Sequence, residues 1–196
     1  MSKINRREAV KVLLHERGEL LVVTGLGAPA YDVASVGDNP LDFPLWGAMG
    51  GAAMLGMGLA LAQPKRKVLV LTGDGEMLMG LGSLATIAAQ GSNNLHIVVI
   101  DNEAYGETGQ QPTHTATGLD LAAVAKACGF PKTGVVTKLS EVEGVRAEIH
   151  TGKELSFTVM KVSAEKLPRV LPPRDGSYLT HRMREALLGI ERALND

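Results

Sequence analysis

Four short runs constrain this chain more than any other feature: ELLVVTG (19–25), KVLVLTG (67–73), LHIVVID (95–101) and SFTVMKV (156–162). Each is nearly continuous in apolar, largely β-branched residues. That is the pattern of strands buried on both faces of a parallel sheet, not the in-and-out alternation of a half-exposed one. Helical patterns lie between and beside them, at roughly 49–62, 77–90, 119–128 and 139–151, and KTGVVTK (132–138) adds a short strand. The alternation predicts a doubly wound, mainly parallel α/β sheet with helices on both faces and right-handed crossovers. No period of self-similarity points to repeats. The amino end predicts an amphipathic helix with Ala9, Val10, Leu13 and Leu14 on one face. Near the carboxyl end KLPRVLPPRDG (166–176) is Pro-rich and basic and reads as a surface arm. A last amphipathic helix is expected at about 178–194, turning Met183, Leu187, Leu188 and Ile190 inward. One domain is expected over 1–196, with the arm and helix from about 166 as its extension.

Composition removes several classes of function. With 196 residues, 45% of them hydrophobic, the chain can build a full core. A net charge of −1 gives no electrostatic case for nucleic acid or an anionic membrane surface. The single cysteine, Cys128, excludes an intramolecular disulfide and fits a reducing, cytoplasmic setting; it reads as a small core residue. No signal peptide is visible. The uncharged stretch FPLWGAMGGAAMLGMGLALAQ (43–63) holds a run, 45–62, long enough to pass for a membrane span. Its Gly and Ala carry little transfer energy, and Pro44 and Trp46 begin it as a loop. A soluble helix lying close to other backbone accounts better for Gly47, Gly50, Gly51, Gly56 and Gly58.

In open α/β sheets ligands bind beyond the carboxyl ends of the strands. Three such ends are chemically unusual here: TGLGAP, TGDGEM and DNEAYGETGQQPTH. GLGAPA (25–30) fits the G-x-G-x-x-A dinucleotide pattern. The second strand with an acid ~20 residues on is missing, because YDVASVGDNPLDFPLW (31–46) reads as loop, so glycines for a tight strand-to-helix turn are preferred. Asp74, between Gly73 and Gly75, is more telling. A GDG turn capping a helix is one reading. The other is a carboxylate for a hard cation beside a helix N-terminus whose amides take phosphate. Asp101-Asn102, directly after a core strand, favours the second. Asn102 offers another hard oxygen, and it lies 28 positions beyond Asp74, one helix and one strand away.

GDG, a helix, a strand and then Asp-Asn resemble the signature of thiamine diphosphate enzymes. LWGAMGGAAMLGMGLALA resembles the segment that cradles the thiamine ring in them. With GETGQQPTH, nearly the whole chain is similar to the diphosphate-binding domain of 2-oxo-acid decarboxylases, above all those acting on sulfopyruvate and phosphonopyruvate. The resemblance implies a set of roles. Asp74, the Asn102 side chain and the Ala104 carbonyl would hold Mg²⁺, and the Gly75 and Glu76 amides would meet the diphosphate. Leu26, Gly27 and Gly73 would line the cofactor, together with Tyr105, Gly106, Glu107 and Thr108 of the following loop. The Gly47 carbonyl would accept from the aminopyrimidine, and Met49 would hold the cofactor bent. Thr108, Gln110, Gln111, Thr113 and His114 are the expected substrate contacts, with Met49 and His114 as catalytic candidates. Between Lys67 and Lys126 there is no Lys or Arg, so a sulfonate or phosphonate must be met by amides, hydroxyls, His114 or another chain.

The activating glutamate of these enzymes lies on a separate pyrimidine-binding domain, and Glu8, Glu16, Glu19, Glu76 and Glu103 do not match its position. The resemblance therefore implies a partner subunit that supplies it, in a homodimer or hetero-oligomer, for a small 2-oxo-acid substrate. A part of an acetolactate-synthase-like carboligase, or a cofactor-binding module without catalysis, remains an alternative.

Overall fold

The computed structural model describes residues 3–195; Met1, Ser2 and Asp196, at the limits of the expected domain, lie outside the described residues. Helix α1 (Arg6–Leu13) starts at Asn5, whose Oδ1 accepts from the amides of Arg7 and Glu8, each at 3.0 Å. Along the chain follow β1 (Leu21–Thr24), α2 (Ala28–Val36), β2 (Asp42–Pro44), α3 (Ala52–Ala62), β3 (Val68–Gly73), α4 (Asp74–Met79), α5 (Ser83–Gln90) and β4 (Leu95–Asp101). After a two-strand hairpin, β5 (Ala104–Tyr105) and β6 (Gln111–Pro112), come α6 (Leu121–Ala127), β7 (Lys132–Val136), α7 (Val142–Thr151), β8 (Ser156–Lys161), α8 (Gly176–Leu188) and α9 (Ile190–Asn195).

The six main strands form one sheet in the order β2-β1-β3-β4-β8-β7, and every neighbouring pair is parallel. The continuous apolar runs have the cause expected of them. Val68 and Val70 of β3, with Ile97 and Val99 of β4, join Ala52, Ala60, Leu84, Ile87 and Leu121 on one face. Leu69 and Leu71, with Val98 and Ile100, join Val10, Leu13, Val142 and Ile149 on the other. Two cores flank one sheet, so both sides of each central strand are dry.

Where expectation and structure differ, short or weakly patterned elements are involved. The stretch 31–46, expected to be loop, holds most of α2 and all of β2. α2 is built from APAYDVASV, with Gly27 before it at φ +82° and Pro29 in its first turn, where proline costs no hydrogen bond. The helix expected at 77–90 begins at Asp74 and breaks at 80–82 into α4 and α5. The last helix breaks at Gly189, φ +79°. α3 is eleven residues long, and no helix among the described residues is long and apolar enough to cross a membrane. Its glycines serve close packing unevenly. A Cβ on Gly56 would fall 2.2 Å from Val70 Cγ2, whereas one on Gly58 would meet nothing. Cys128 is half-buried against the first core.

Candidate active site

Because β1, β3 and β4 are parallel neighbours, their carboxyl ends share one edge. A cleft of about 400 Å³ opens there. It is lined by Leu26 after β1, by Met49 from the loop before α3, and by Gly73, Asp74, Gly75 and Glu76 where β3 becomes α4. Asn102, Ala104, Tyr105, Gly106, Glu107 and Thr108 close it after β4. The structure thus brings together twelve positions read from the sequence. Gly27 and Gly47 are not among the lining residues; both have left-handed backbone, at φ +82° and +76°.

Asp74 is the first residue of α4 and is 2% exposed. Its Oδ2 receives the Thr113 hydroxyl at 2.5 Å and lies 3.2 Å from the Thr115 hydroxyl. Thr115 is also 2.8 Å from Asp101 Oδ1 and 2.9 Å from Thr113. Each hydroxyl has one proton, and the shortest contacts assign Thr113's to Asp74 and Thr115's to Asp101. Two threonines therefore bridge the carboxylates that end β3 and β4. Asp101 is compensated on its other side: Lys161 Nζ lies 2.8 Å from its Oδ2, an ion-pair contact, and 2.9 Å from Glu103 Oε1. Burial opposes the charge of Lys161, but these two carboxylates outweigh it and raise its pKa.

Asp74 has no such cation among the described residues. Burial pushes its carboxyl above the usual range and the charge of Asp101 adds to this, against the Thr113 and Thr115 hydrogen bonds. A buried carboxylate that faces a cleft and has no ion-pair partner of its own among the described residues has the character of a cation ligand. The other donors fit a hard ion as well. Asn102 Oδ1 accepts from Ala104 N at 3.1 Å, an Asx turn that keeps the amide oxygen and residue 104 on one short loop. Among the described residues no three His, Cys, Asp or Glu side chains cluster as a metal site. A carboxylate, an amide oxygen and a backbone carbonyl suit Mg²⁺ completed by ligand oxygens, and residues 74, 102 and 104 fit that group.

The glycines shape the cleft. A Cβ on Gly75 would fall 2.4 Å from Tyr105 Cε1, so only glycine admits that ring over the start of α4. Loop 106–110 is held by the amides of Thr108 and Gln110 on Tyr105 O and by Thr108 Oγ1 on Gln111 Oε1. Met49 is 41% exposed at the open end of the cleft, near Met79 at 59%.

The expected substrate contacts divide. Thr108 lines the cleft, Thr113 is buried and spends its hydroxyl on Asp74, and His114, Gln110 and Gln111 are outside the lining, His114 being exposed. The hydrogen bonds explain this: a single helical turn, His114–Thr117, follows Thr113, and Thr113 and Thr115 are held inward by Asp74 and Asp101 while His114 faces out. Thr115 and Arg6 are the residues that sequence reasoning missed. Arg6, 6% exposed on α1, lines the cleft; its Nε donates to Asp32 at 2.7 Å and its Nη1 to Glu165 O at 2.6 Å. A cation does stand at this edge, brought from α1, far upstream of the cation-free segment. Its signal was an arginine on the buried face of an amphipathic helix. The C-terminal arm also reaches the cleft: Arg169 pairs with Glu107 at 2.8 Å, and Trp46 Nε1 donates to Pro173 O at 3.1 Å.

Residues 26–161 match the family model for thiamine pyrophosphate enzyme, C-terminal TPP binding domain. The chain is 45% identical over 127 residues to the sulfopyruvate decarboxylase subunit beta of Methanothermobacter thermautotrophicus, covering 65% of this chain and 68% of that one. It is 32% identical over 187 residues to the subunit of the same name from Methanococcus maripaludis, covering 94% and 98%. Benzoylformate decarboxylase from Polynucleobacter necessarius has the same fold, with a TM-score of 0.70 at 23% identity over 84% of this chain and 34% of that one.

Proposed function

The chain belongs to the thiamine pyrophosphate enzymes, as a C-terminal TPP-binding domain, and from that premise we propose that it is the diphosphate-binding subunit of a decarboxylase taking sulfopyruvate, or its phosphonate counterpart, to the aldehyde and carbon dioxide. The observation that carries the site is Asp74: buried, uncompensated, and facing the same cleft as Asn102. Asp74, Asn102 and the Ala104 carbonyl hold Mg²⁺. The amides of Gly75 and Glu76, at the start of α4, bind the diphosphate. Gly47 offers its carbonyl to the pyrimidine, and Met49 supports the bent cofactor. When bound, thiamine diphosphate supplies the nucleophilic carbon and the electron sink that 2-oxo-acid decarboxylation needs.

The chain's own contribution is to bind and orient. Thr113 fixes the Asp74 carboxylate and leaves its Oδ1 for the metal. Tyr105 shields the start of α4. Arg6 places a cation in the cleft wall.

A second subunit completes the site. Both glutamates that line the cleft are already engaged, Glu76 with Thr72 Oγ1 at 2.6 Å and Glu107 with Arg169. Neither matches the activating carboxyl, which in enzymes of this family lies on a separate pyrimidine-binding domain, so that carboxyl is assigned to the partner. The exposed Met49, Met54, Leu55 and Met79 give the partner an apolar surface to cover, and cytoplasmic localisation goes with the soluble assembly. The test is carbon dioxide release from sulfopyruvate, phosphonopyruvate and pyruvate, by this chain alone and with a chain carrying the pyrimidine-binding domain. Turnover of the sulfonate or phosphonate substrate only in the mixture is expected. Full turnover by this chain alone overturns the two-subunit reading, and turnover of pyruvate alone overturns the substrate.

A further inference from the structure

We propose that Glu76 is a positioning residue, whose buried carboxylate ties the loop bearing Met49 to the helix bearing Asp74 and so fixes the spacing between the two ends of the cofactor. The inference rests on the reading of Met49 as the cofactor's support. It starts from an oddity of α3. This helix has no side-chain cap and no acidic residue in its first turn. The first amides of a helix need acceptors, and here one arrives from another element.

Glu76 is 3% exposed and stands two residues after Asp74 in α4. Its Oε1 accepts from Ala52 N, the first residue of α3, at 3.3 Å. The nearby amide of Gly50 also favours the ionised form of this carboxyl, against the burial that raises its pKa, and Thr72 Oγ1 donates to Oε2 at 2.6 Å. The carboxylate thus acts as a remote cap for α3, with the favourable sign of charge for a helix N-terminus.

Two glycine contacts make the seat specific. A Cβ on Gly25 would fall 1.4 Å from Glu76 Oε2, so the carboxylate occupies space that only glycine leaves open. A Cβ on Gly80 would fall 2.2 Å from Gly50 O, so the loop backbone lies flush on the end of α4. The Met49 loop is therefore fastened to α4 at both ends of that helix. Met49 itself is 41% exposed, so the backbone on either side of it must set where its side chain stands.

The experiment compares Glu76→Ala and Glu76→Gln with Ile149→Ala, which opens a cavity in the opposite core, in the complex reconstituted with the pyrimidine-binding chain. Amide exchange, cofactor affinity by calorimetry with Mg²⁺, and kcat are measured. In Glu76→Ala exchange at Gly50 and Ala52 should rise about tenfold or more while Ile97 and Val99 keep wild-type protection. kcat should fall about 100-fold, the cost of a small misplacement, with the cofactor Kd within about threefold, since the metal and diphosphate contacts stay in place. Glu76→Gln keeps one carbonyl oxygen for Ala52 N and should recover most of the loss. Ile149→Ala should lower Tm without this split. Unchanged exchange at Gly50 and Ala52 overturns the proposal, as does parallel loss of kcat, Kd and Tm in both Glu76 variants. Should the wild-type complex bind no cofactor, the proposed function fails while the exchange measurement still decides the tie.

Discussion

The two ends of the cleft are built on opposite plans. At one end Asp74, Thr113, Thr115, Asp101 and Lys161 form a closed, buried chain of hydrogen bonds and ion pairs from three parts of the sequence. At the other, Met49 and Met79 stand open beside the half-exposed outer face of α3. The first end pairs Asp101 with Lys161 and leaves Asp74, among the described residues, with hydroxyl partners alone. The second lacks a neighbouring surface. A chain of this kind can carry a complete anchor for one half of a ligand and only one wall for the other half, which is the physical content of calling it a subunit.

The largest effect should come from the closed end. Asp74→Ala removes the sole carboxylate of the proposed metal site, and thiamine diphosphate affinity measured calorimetrically with Mg²⁺ should drop about 1000-fold or below detection. Wild-type affinity that survives EDTA would break the comparison at its root. Next, Met49→Ala should lower kcat of the reconstituted enzyme about 100-fold and barely change cofactor Kd; near-normal turnover would make Met49 a surface residue only. Thr113→Val should weaken Mg²⁺-dependent binding about tenfold, the usual cost of losing a partner that orients a metal ligand. A titration with Mn²⁺ as the probe would show it without any turnover.

The smallest effect lies at the opposite edge of the sheet and checks that an uncompensated buried group there has no ligand to wait for. His96 is fully buried on β4, with Nδ1 2.8 Å from Ser156 Oγ. Burial, helped by Lys67, Lys132 and His150 against Glu148, lowers its pKa to about 4. Its folded value is below its unfolded one, so stability is present above the unfolded value and is lost as pH falls from about 6.5 toward 4. Chemical denaturation should show a loss of about 1 kcal/mol between pH 7.5 and 6. The loss should be absent in His96→Gln and unaffected by Mg²⁺ or cofactor.

What was legible in the sequence follows how local each cause is. The strands β1, β3, β4 and β8 announce themselves because most of their residues are apolar, each for its own burial. Asp74 and Asn102 could be paired because strand ends in a parallel sheet are a topological fact. α2 was hidden because APAYDVASV lacks a clear apolar stripe, and β2 because three residues, one of them the ion-paired Asp42, are too few to show a period. Arg6, and the inward turn of Thr113 and Thr115 that leaves His114 outside, depend on contacts across the fold. The Glu76 side chain was invisible for the same reason: its partners Gly25, Ala52 and Thr72 come from three separate segments.

α4 has a consequence for descent. Its six residues put the carboxylate of Asp74 at one end and the backbone of Gly80 against Gly50 just past the other. One residue inserted would advance everything beyond it by about 1.5 Å and turn it by about 100°, carrying either Asp74 or the Glu76 seat off its mark. In this helix the side chain of Leu78, which packs on the core and does not line the cleft, can drift among apolar residues. The length of the helix cannot, so in this stretch of the gene single-codon gains and losses should be purged far more strictly than substitutions.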